Sequence, residues 1–202
     1  MKRLFCCITT MIFMCLGPAL ADELDTLIEN CDGCHGDNGV SQAADVPTIA
    51  GIDAFVHSEA LYIYQDEARP CAESKYRQGD TSRAATTMCA VAVDLDDDQI
   101  EAIAAHYSEL PFVPAPQEFD AALATAGQAI HERDCGVCHT DGGSNPADES
   151  SILAGQWMGY LETSIAQYRA GEREQPGMMQ AKLDALSDAD IGALLNYYAS
   201  QQ

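Results

Sequence analysis

Cysteine and histidine recur in one short pattern, Cys31-Asp32-Gly33-Cys34-His35 and again Cys135-Gly136-Val137-Cys138-His139. Two thiols separated by two residues and followed at once by an imidazole form the attachment signature of a c-type haem. One short turn carries both thiols to the two vinyl groups of a porphyrin while the adjacent imidazole reaches the iron. A single copy is also compatible with part of a zinc site. Two copies in an exported chain of 202 residues point to two covalently bound haem c groups, with His35 and His139 as iron ligands.

An iron held in this way keeps one open face. In electron-transfer proteins a methionine thioether commonly fills it and raises the reduction potential. Met88 lies seven residues before Leu95, and Met179 lies seven residues before Leu186. Each leucine precedes the acidic start of a final amphipathic stretch, so Met88 and Met179 are the expected axial ligands. Met178 competes by adjacency and is read as a gap-filler in the haem wall. Met158 is read as ordinary packing. His57, His106 and His131 have no counterpart at a repeated position and are read as surface or satisfied histidines. Trp157, Tyr160 and Tyr168 suit either a haem pocket or a plain core.

The elements that must position these groups occur twice as well. Leu24, Leu27 and Ile28 fall at helical spacing ahead of the first motif. Phe55, Val56, Ala60, Leu61 and Tyr64 form a second apolar side, and Asp96 with Gln99 makes a capping box that opens a helix through Tyr107. Ile100, Ile103, Ala104 and Tyr107 share one face of that helix. The segment from Cys71 to Thr87 is polar and reads as an irregular surface loop. In the second half, Phe119, Leu123, Ala126 and Ile130 are expected to share one face of a lead-in helix. Trp157, Tyr160, Leu161, Ile165 and Tyr168 mark the next helix. Ser187 with Asp190 opens the last, where Ile191, Leu194, Leu195 and Tyr198 match Ile100, Ile103, Ala104 and Tyr107. Between the halves, Leu110-Pro111-Phe112-Val113-Pro114-Ala115-Pro116 ends one helix and reads as a proline-rich hinge. The organisation expected is a cleaved signal over 1–21, a domain over 22–110, a linker over 111–117 and a second domain over 118–202.

The start of the chain supports export. Lys2 and Arg3 precede an apolar run from Leu4 to Leu16, and Ala19-Leu20-Ala21 fits a signal cleavage site. The run is too short and wrongly flanked for a membrane span, so a periplasmic protein without stable membrane insertion is expected. The nine cysteines then sort without remainder. Cys6, Cys7 and Cys15 leave with the signal and four bind haem. Cys71 and Cys89 remain, either as a disulfide, which an oxidising compartment favours, or as two free thiols. Charge adds a further bound. Removing Lys2 and Arg3 takes the net charge from −22 to −24. Such a field excludes nucleic acid and suits either simple solubility or redox partners with a basic docking surface.

With these residues in place the chain resembles the dihaem class I c-type cytochromes of the c4 type. Within them it is similar to the cytochrome subunit of flavocytochrome c sulfide dehydrogenase. The haem motifs carry the broad likeness. Phe119-Asp120-Ala121-Ala122-Leu123-Ala124, Ile152-Leu153-Ala154-Gly155-Gln156-Trp157 and Tyr198-Ala199-Ser200-Gln201-Gln202 carry the narrower one. The resemblance implies an all-α fold of two tandem cytochrome c domains, each a few helices around one haem, and methionine ligation at Met88 and Met179. It also implies a proline whose carbonyl supports the proximal histidine. Pro47 fits that place, and Ser151 stands there in the second half. The function implied is electron transfer without catalysis by the chain itself, accepting electrons from a flavoprotein that oxidises sulfide. A free-standing c4-type carrier feeding a terminal oxidase is the alternative. A dihaem enzyme such as a thiosulfate dehydrogenase would need a vacant, histidine or cysteine distal ligand, and the paired methionines speak against it.

Overall fold

The computed structural model describes the backbone of residues 18–202 and the side chains of residues 22–202. The signal segment expected at the start lies, through residue 17, outside the described residues. Among the described residues no helix is long and apolar enough to cross a membrane. The fold is α-helical and built twice, with one two-stranded antiparallel pairing, Glu73–Ser74 (β1) against Thr86–Thr87 (β2), as its only sheet among those residues.

In the first half, α1 (Pro18–His35) turns Leu24, Leu27 and Ile28 inward and runs through the whole first motif. It packs on α4 (Asp97–Ser108), which in turn packs on α2 (Ala54–Gln65), and α2 covers the short α3 (Met88–Ala92). The Asp96 carboxylate accepts from Gln99 N, and the Gln99 side chain accepts from Asp96 N, so two otherwise orphaned donors start α4. The face read from the 3.6-residue period is the buried one: Ile100, Ile103, Ala104 and Tyr107 are all essentially inaccessible. The second half follows with α5 (Ala121–Asp134), α6 (Met158–Arg169), α7 (Gly177–Ala185) and α8 (Asp188–Ala199). Ile191, Leu194, Leu195 and Tyr198 of α8 form its core with Ile130, Leu161, Leu183 and Leu186.

The duplication extends to single hydrogen bonds. Ile49 N and Ala50 N donate to Gly39 O at 2.8 and 3.2 Å, as Leu153 N and Ala154 N donate to Gly143 O at 2.8 and 3.1 Å. Gly51 N donates to Tyr107 O at 2.9 Å, as Gly155 N does to Tyr198 O at 2.8 Å.

Three expectations need correction. The buried stripe of α5 is Ala124, Gly127, Ile130 and His131, whereas Phe119 and Leu123 are exposed and Ala126 also faces solvent. The reason is the closeness of the α5–α8 crossing: a Cβ on Gly127 would lie 2.1 Å from Ala193 O, so small residues must face inward. The segment Cys71–Thr87 contains the β1–β2 pairing and the buried Tyr76, and helices α3 and α7 were not visible in the apolar pattern. Finally, the proline-rich connection is fastened to the second half at Ala115 and Gln117, while Pro111, Val113 and Pro116 are exposed. Ala115 is buried and donates to Gly155 O at 2.7 Å, and the Gln117 amide bonds Gln156 O and Met158 N at 2.8 Å each.

The halves themselves are held by backbone-directed contacts. The Gln156 side chain accepts from Thr48 N and donates to Thr48 O, both at 2.9 Å, with both residues 1% exposed. Trp157 Nε1 donates to Ser41 O at 2.9 Å.

Candidate haem sites

Helix α1 delivers the first motif as one rigid turn. His35 is buried, and its Nδ1 lies 2.9 Å from Pro47 O. A neutral imidazole that donates Nδ1–H to this carbonyl leaves Nε2 unprotonated and aimed by the hydrogen bond, the state a metal ligand requires. Burial lowers the His35 pKa and the Pro47 carbonyl partly offsets that. Asp32 fixes the turn from behind: its carboxylate accepts from Asn38 N and Gly39 N at 3.0 Å each and from the Tyr107 hydroxyl at 2.8 Å. Burial, followed by the Asp32 charge, pushes the Cys31 thiol up to about 11. Residues 76–78 close over the motif. Arg77 N and Gln78 N donate to Gly33 O at 2.7 and 3.2 Å, and a Cβ on Gly33 would meet the Tyr76 ring at 2.7 Å.

Cys71 and Cys89 are bonded, with Cα atoms 5.7 Å apart, beside the start of α3. Thr87 Oγ1 accepts from Ala90 N and caps that helix, whose first residue is Met88. Met88 is half-buried against the first core.

The second motif sits differently. Helix α5 stops at Asp134, and Cys135 N and Gly136 N both turn back to His131 O at 2.8 Å. Gly136 occupies the place of Asp32, so no carboxylate is available for Tyr198, the counterpart of Tyr107. Its hydroxyl instead lies 3.0 Å from Nδ1 of the buried His131, which is therefore a satisfied core histidine. His139 is half-buried with Nδ1 3.3 Å from Ser150 Oγ; burial lowers its pKa and the Ser151 carbonyl offsets part of this. The hydrogen-bond partner of His139 is thus the Ser150 hydroxyl, one residue before the place where the first half presents the Pro47 carbonyl. Met179, near the start of α7, packs on the second core, while Met178 is 74% exposed and lines no part of that core. His57 also departs from expectation. It is buried, stacked on Tyr107 at 5.4 Å, and neither ring nitrogen has a hydrogen-bond partner.

Between the halves lies a cluster that no short motif marks. The Arg69 guanidinium sits 4.2 Å over the Tyr64 ring, and that of Arg173 sits 4.1 Å over the Tyr168 ring. Arg69 with Arg173, Tyr64 with Tyr168, and Cys31 with Cys135 are all separated by 104 residues, the one signal that could have found them. Tyr160 reaches the same place. Burial pushes its phenol up, but Arg69 and Arg173 outweigh that and hold it below the usual tyrosine range. Arg69 is 7% exposed, yet its Nε and the Nη1 of Arg173 have no hydrogen-bond partner, and among the described residues neither arginine pairs with a carboxylate. Buried cations need an anion, and c-type haem carries two propionate carboxylates. The donor set therefore fits haem, with thiols and imidazole at the motif and guanidinium groups at the interface.

The comparisons with known proteins agree. The family "Cytochrome c" matches residues 21–110, and "Cytochrome C oxidase, cbb3-type, subunit III" matches residues 122–197. A "Thiosulfate dehydrogenase electron acceptor" of Thiomonas intermedia is 26% identical over 213 residues, covering 100% of this chain and 92% of that protein. "Cytochrome c-554(548)" of Halomonas halodenitrificans is 39% identical over 70 residues, 34% of this chain and 84% of that one. "Cytochrome c4" of Azotobacter vinelandii is 25% identical, covering 83% of this chain and 82% of that one. Among solved structures, reduced cytochrome c4 from Pseudomonas stutzeri superposes with a TM-score of 0.71 at 24% identity, over 90% of this chain and 98% of that one. Cytochrome c domains carry covalently bound haem c, and a tandem pair of them in one helical chain, with relatives of this kind, leaves a single assignment. The chain belongs to the dihaem class I c-type cytochromes of the c4 type.

Proposed function

We propose that this chain is a periplasmic carrier of two haem c groups that accepts electrons, one at a time, from a separate dehydrogenase oxidising a sulfur compound. The observation that carries the reading is the doubled ligand set. Cys31, Cys34, His35 and Met88 in the first domain, and Cys135, Cys138, His139 and Met179 in the second, recur at corresponding positions of the repeated sequence, which supports two equivalent iron sites. When bound, haem iron supplies a one-electron couple. The chain's own residues do the rest. The cysteine thiols form the covalent attachment. The Pro47 carbonyl orients His35, and the Ser150 hydroxyl orients His139. The thioethers of Met88 and Met179 would supply the remaining iron ligands when haem is bound, an arrangement that favours electron transfer over catalysis. Arg69 and Arg173 would hold haem carboxylates at the interface when the groups are bound.

The donor is the finer part of the reading. The sequence suggested a flavoprotein sulfide dehydrogenase, whereas a relative aligned over the whole of this chain is named as an acceptor for thiosulfate dehydrogenase. The chemistry shared by both is the oxidation of reduced sulfur by a partner protein, and the proposal is stated at that level. A free-standing carrier that feeds a terminal oxidase is the second reading, supported by the likeness to cytochrome c4.

The test is an optical and redox titration of the purified protein and of Met88→Ala and Met179→Ala. Two low-spin haems with the far-red band of methionine–Fe(III) ligation are expected, each variant losing about half of that band and lowering one potential. A high-spin iron in the unaltered protein refutes the carrier reading and revives an enzyme.

A further inference from the structure

The two attachment turns meet solvent in opposite ways. The stretch from Arg69 to Met88 exceeds its counterpart, Arg173 to Met179, by 13 residues. That extra chain lies on the first motif: Tyr76 is buried against Gly33, its hydroxyl donates to Asn30 Oδ1 at 3.0 Å, and the Gln78 amide donates to Asp32 O at 3.0 Å. The Cys71–Cys89 bond anchors the ends of the cover. In the second domain nothing corresponds to it. Val137, at the position of Gly33, is 85% exposed, and Cys138 is exposed as well.

Charge divides the same two faces. Residues 22–202 contain eight lysines and arginines, and three of them, Lys75, Arg77 and Arg83, are on the cover. Arg83 stacks 3.7 Å over the Tyr76 ring. The second turn is flanked instead by Glu132, Asp141 and Glu149, all exposed, while its two neighbouring cations, Arg133 and Lys182, are both tied to Asp134 at 2.6 and 2.9 Å. The second turn thus offers a cationic partner an apolar centre with an acidic rim, whereas on the first face the cations of the cover, with Arg77 tied to Asp45 at 2.6 Å, lie among the exposed Asp37, Glu73 and Asp80 and present no such apolar centre.

We infer that protein partners exchange electrons with this chain at the attachment face of the second domain, around Val137, and that the occupant of that face is a basic one-electron redox protein. The inference rests on the dihaem reading above. In the exchange, one electron passes from the second domain to the ferric iron of the basic protein, which is reduced as this chain is oxidised. No bond is made or broken and no proton moves.

The experiment mixes the reduced, haem-loaded full chain with ferric mitochondrial cytochrome c, a basic one-electron protein, by stopped flow at low ionic strength. Val137→Lys is expected to slow the second-order reaction by about fivefold or more, and added salt to slow the unaltered protein. Lys75→Glu/Arg83→Glu on the first face is expected to stay within about twofold of the unaltered rate. A Val137→Lys rate indistinguishable from the parent, or an equal slowing by the first-face variant, overturns the docking assignment. Covalent haem is measured on the same samples, by mass, on peptides spanning each motif. A chain without it overturns the dihaem reading, whereas a loaded chain that ignores Val137→Lys overturns the docking face alone.

Discussion

Replacing Gln156 by leucine tests how the halves are joined. The side chain makes three hydrogen bonds: from Thr48 N at 2.9 Å, to Thr48 O at 2.9 Å and from Trp157 N at 3.1 Å. Leucine has similar volume, so packing survives, but the Thr48 amide and carbonyl stay buried without partners. Leaving one buried polar group unsatisfied costs about 1–3 kcal/mol, so the two Thr48 groups together predict a loss of about 2–6 kcal/mol, reduced where water can enter. Gln156→Glu separates the two bonds. It keeps the acceptor for Thr48 N but sets a carboxylate oxygen against Thr48 O. The stability deficit of that variant relative to the parent shrinks as pH falls, because a protonated carboxyl can donate to that oxygen. Guanidinium unfolding of the haem-loaded protein, followed by far-ultraviolet circular dichroism and by Soret absorption, reads both variants. Loss of less than about 0.5 kcal/mol in Gln156→Leu would falsify the view that this amide is a main fastening between the domains.

Three further outcomes are expected. In the folded chain burial lowers the His57 pKa to about 4, against an ordinary value of 6.5, so between these values the unfolded chain binds the extra proton. The parent should therefore lose on the order of 3 kcal/mol more than His57→Leu as pH falls from neutral to about 4, measured by unfolding at each pH; equal losses count against it. Leucine is the residue at the equivalent place, Leu161, which makes it a conservative choice. Arg69→Leu and Arg173→Leu each remove a cation from the interface, so each should lower a haem potential in a redox titration, and unaltered potentials in both would separate these arginines from the haem carboxylates. Cys71→Ser/Cys89→Ser opens a link with a sequence separation of 18 and should destabilise the fold by about 3 kcal/mol on thermal unfolding. Because Cys89 follows Met88, the same variant should shift the potential of the first haem and leave that of the second in place.

Much of the fold was legible because strong local signals agreed. The period of Ile100, Ile103, Ala104 and Tyr107, with the Asp96–Gln99 box before it, describes a helix whose burial the structure reproduces. The α5 face was misread for the opposite reason. A search for large apolar residues selects Phe119 and Leu123, yet a crossing as close as Gly127 against Ala193 is built from small ones. Helices α3 and α7 are short and draw their order from neighbouring packing, so they have little periodicity to read. The interface arginines escaped because a lone Arg looks like a solvated charge. Only the shared spacing of 104 residues, read together with Tyr64 and Tyr168, marks them as a pair. The His57 reading failed because sequence shows residue type and not the absence of partners.

The cover on the first motif also bears on how the protein is made. Residues 76–78 bond the carbonyls of Asp32 and Gly33, the very turn that must be reached from outside when Cys31 and Cys34 acquire their thioether bonds. Closing the Cys71–Cys89 link pins that segment in place. The second turn, with Val137 and Cys138 open to solvent, has no such gate. The expected consequence is an order of maturation in the first domain, with attachment before closure, so that joining Cys71 to Cys89 before haem is supplied should lower haem loading at the first motif and not at the second, read by mass on peptides spanning each motif.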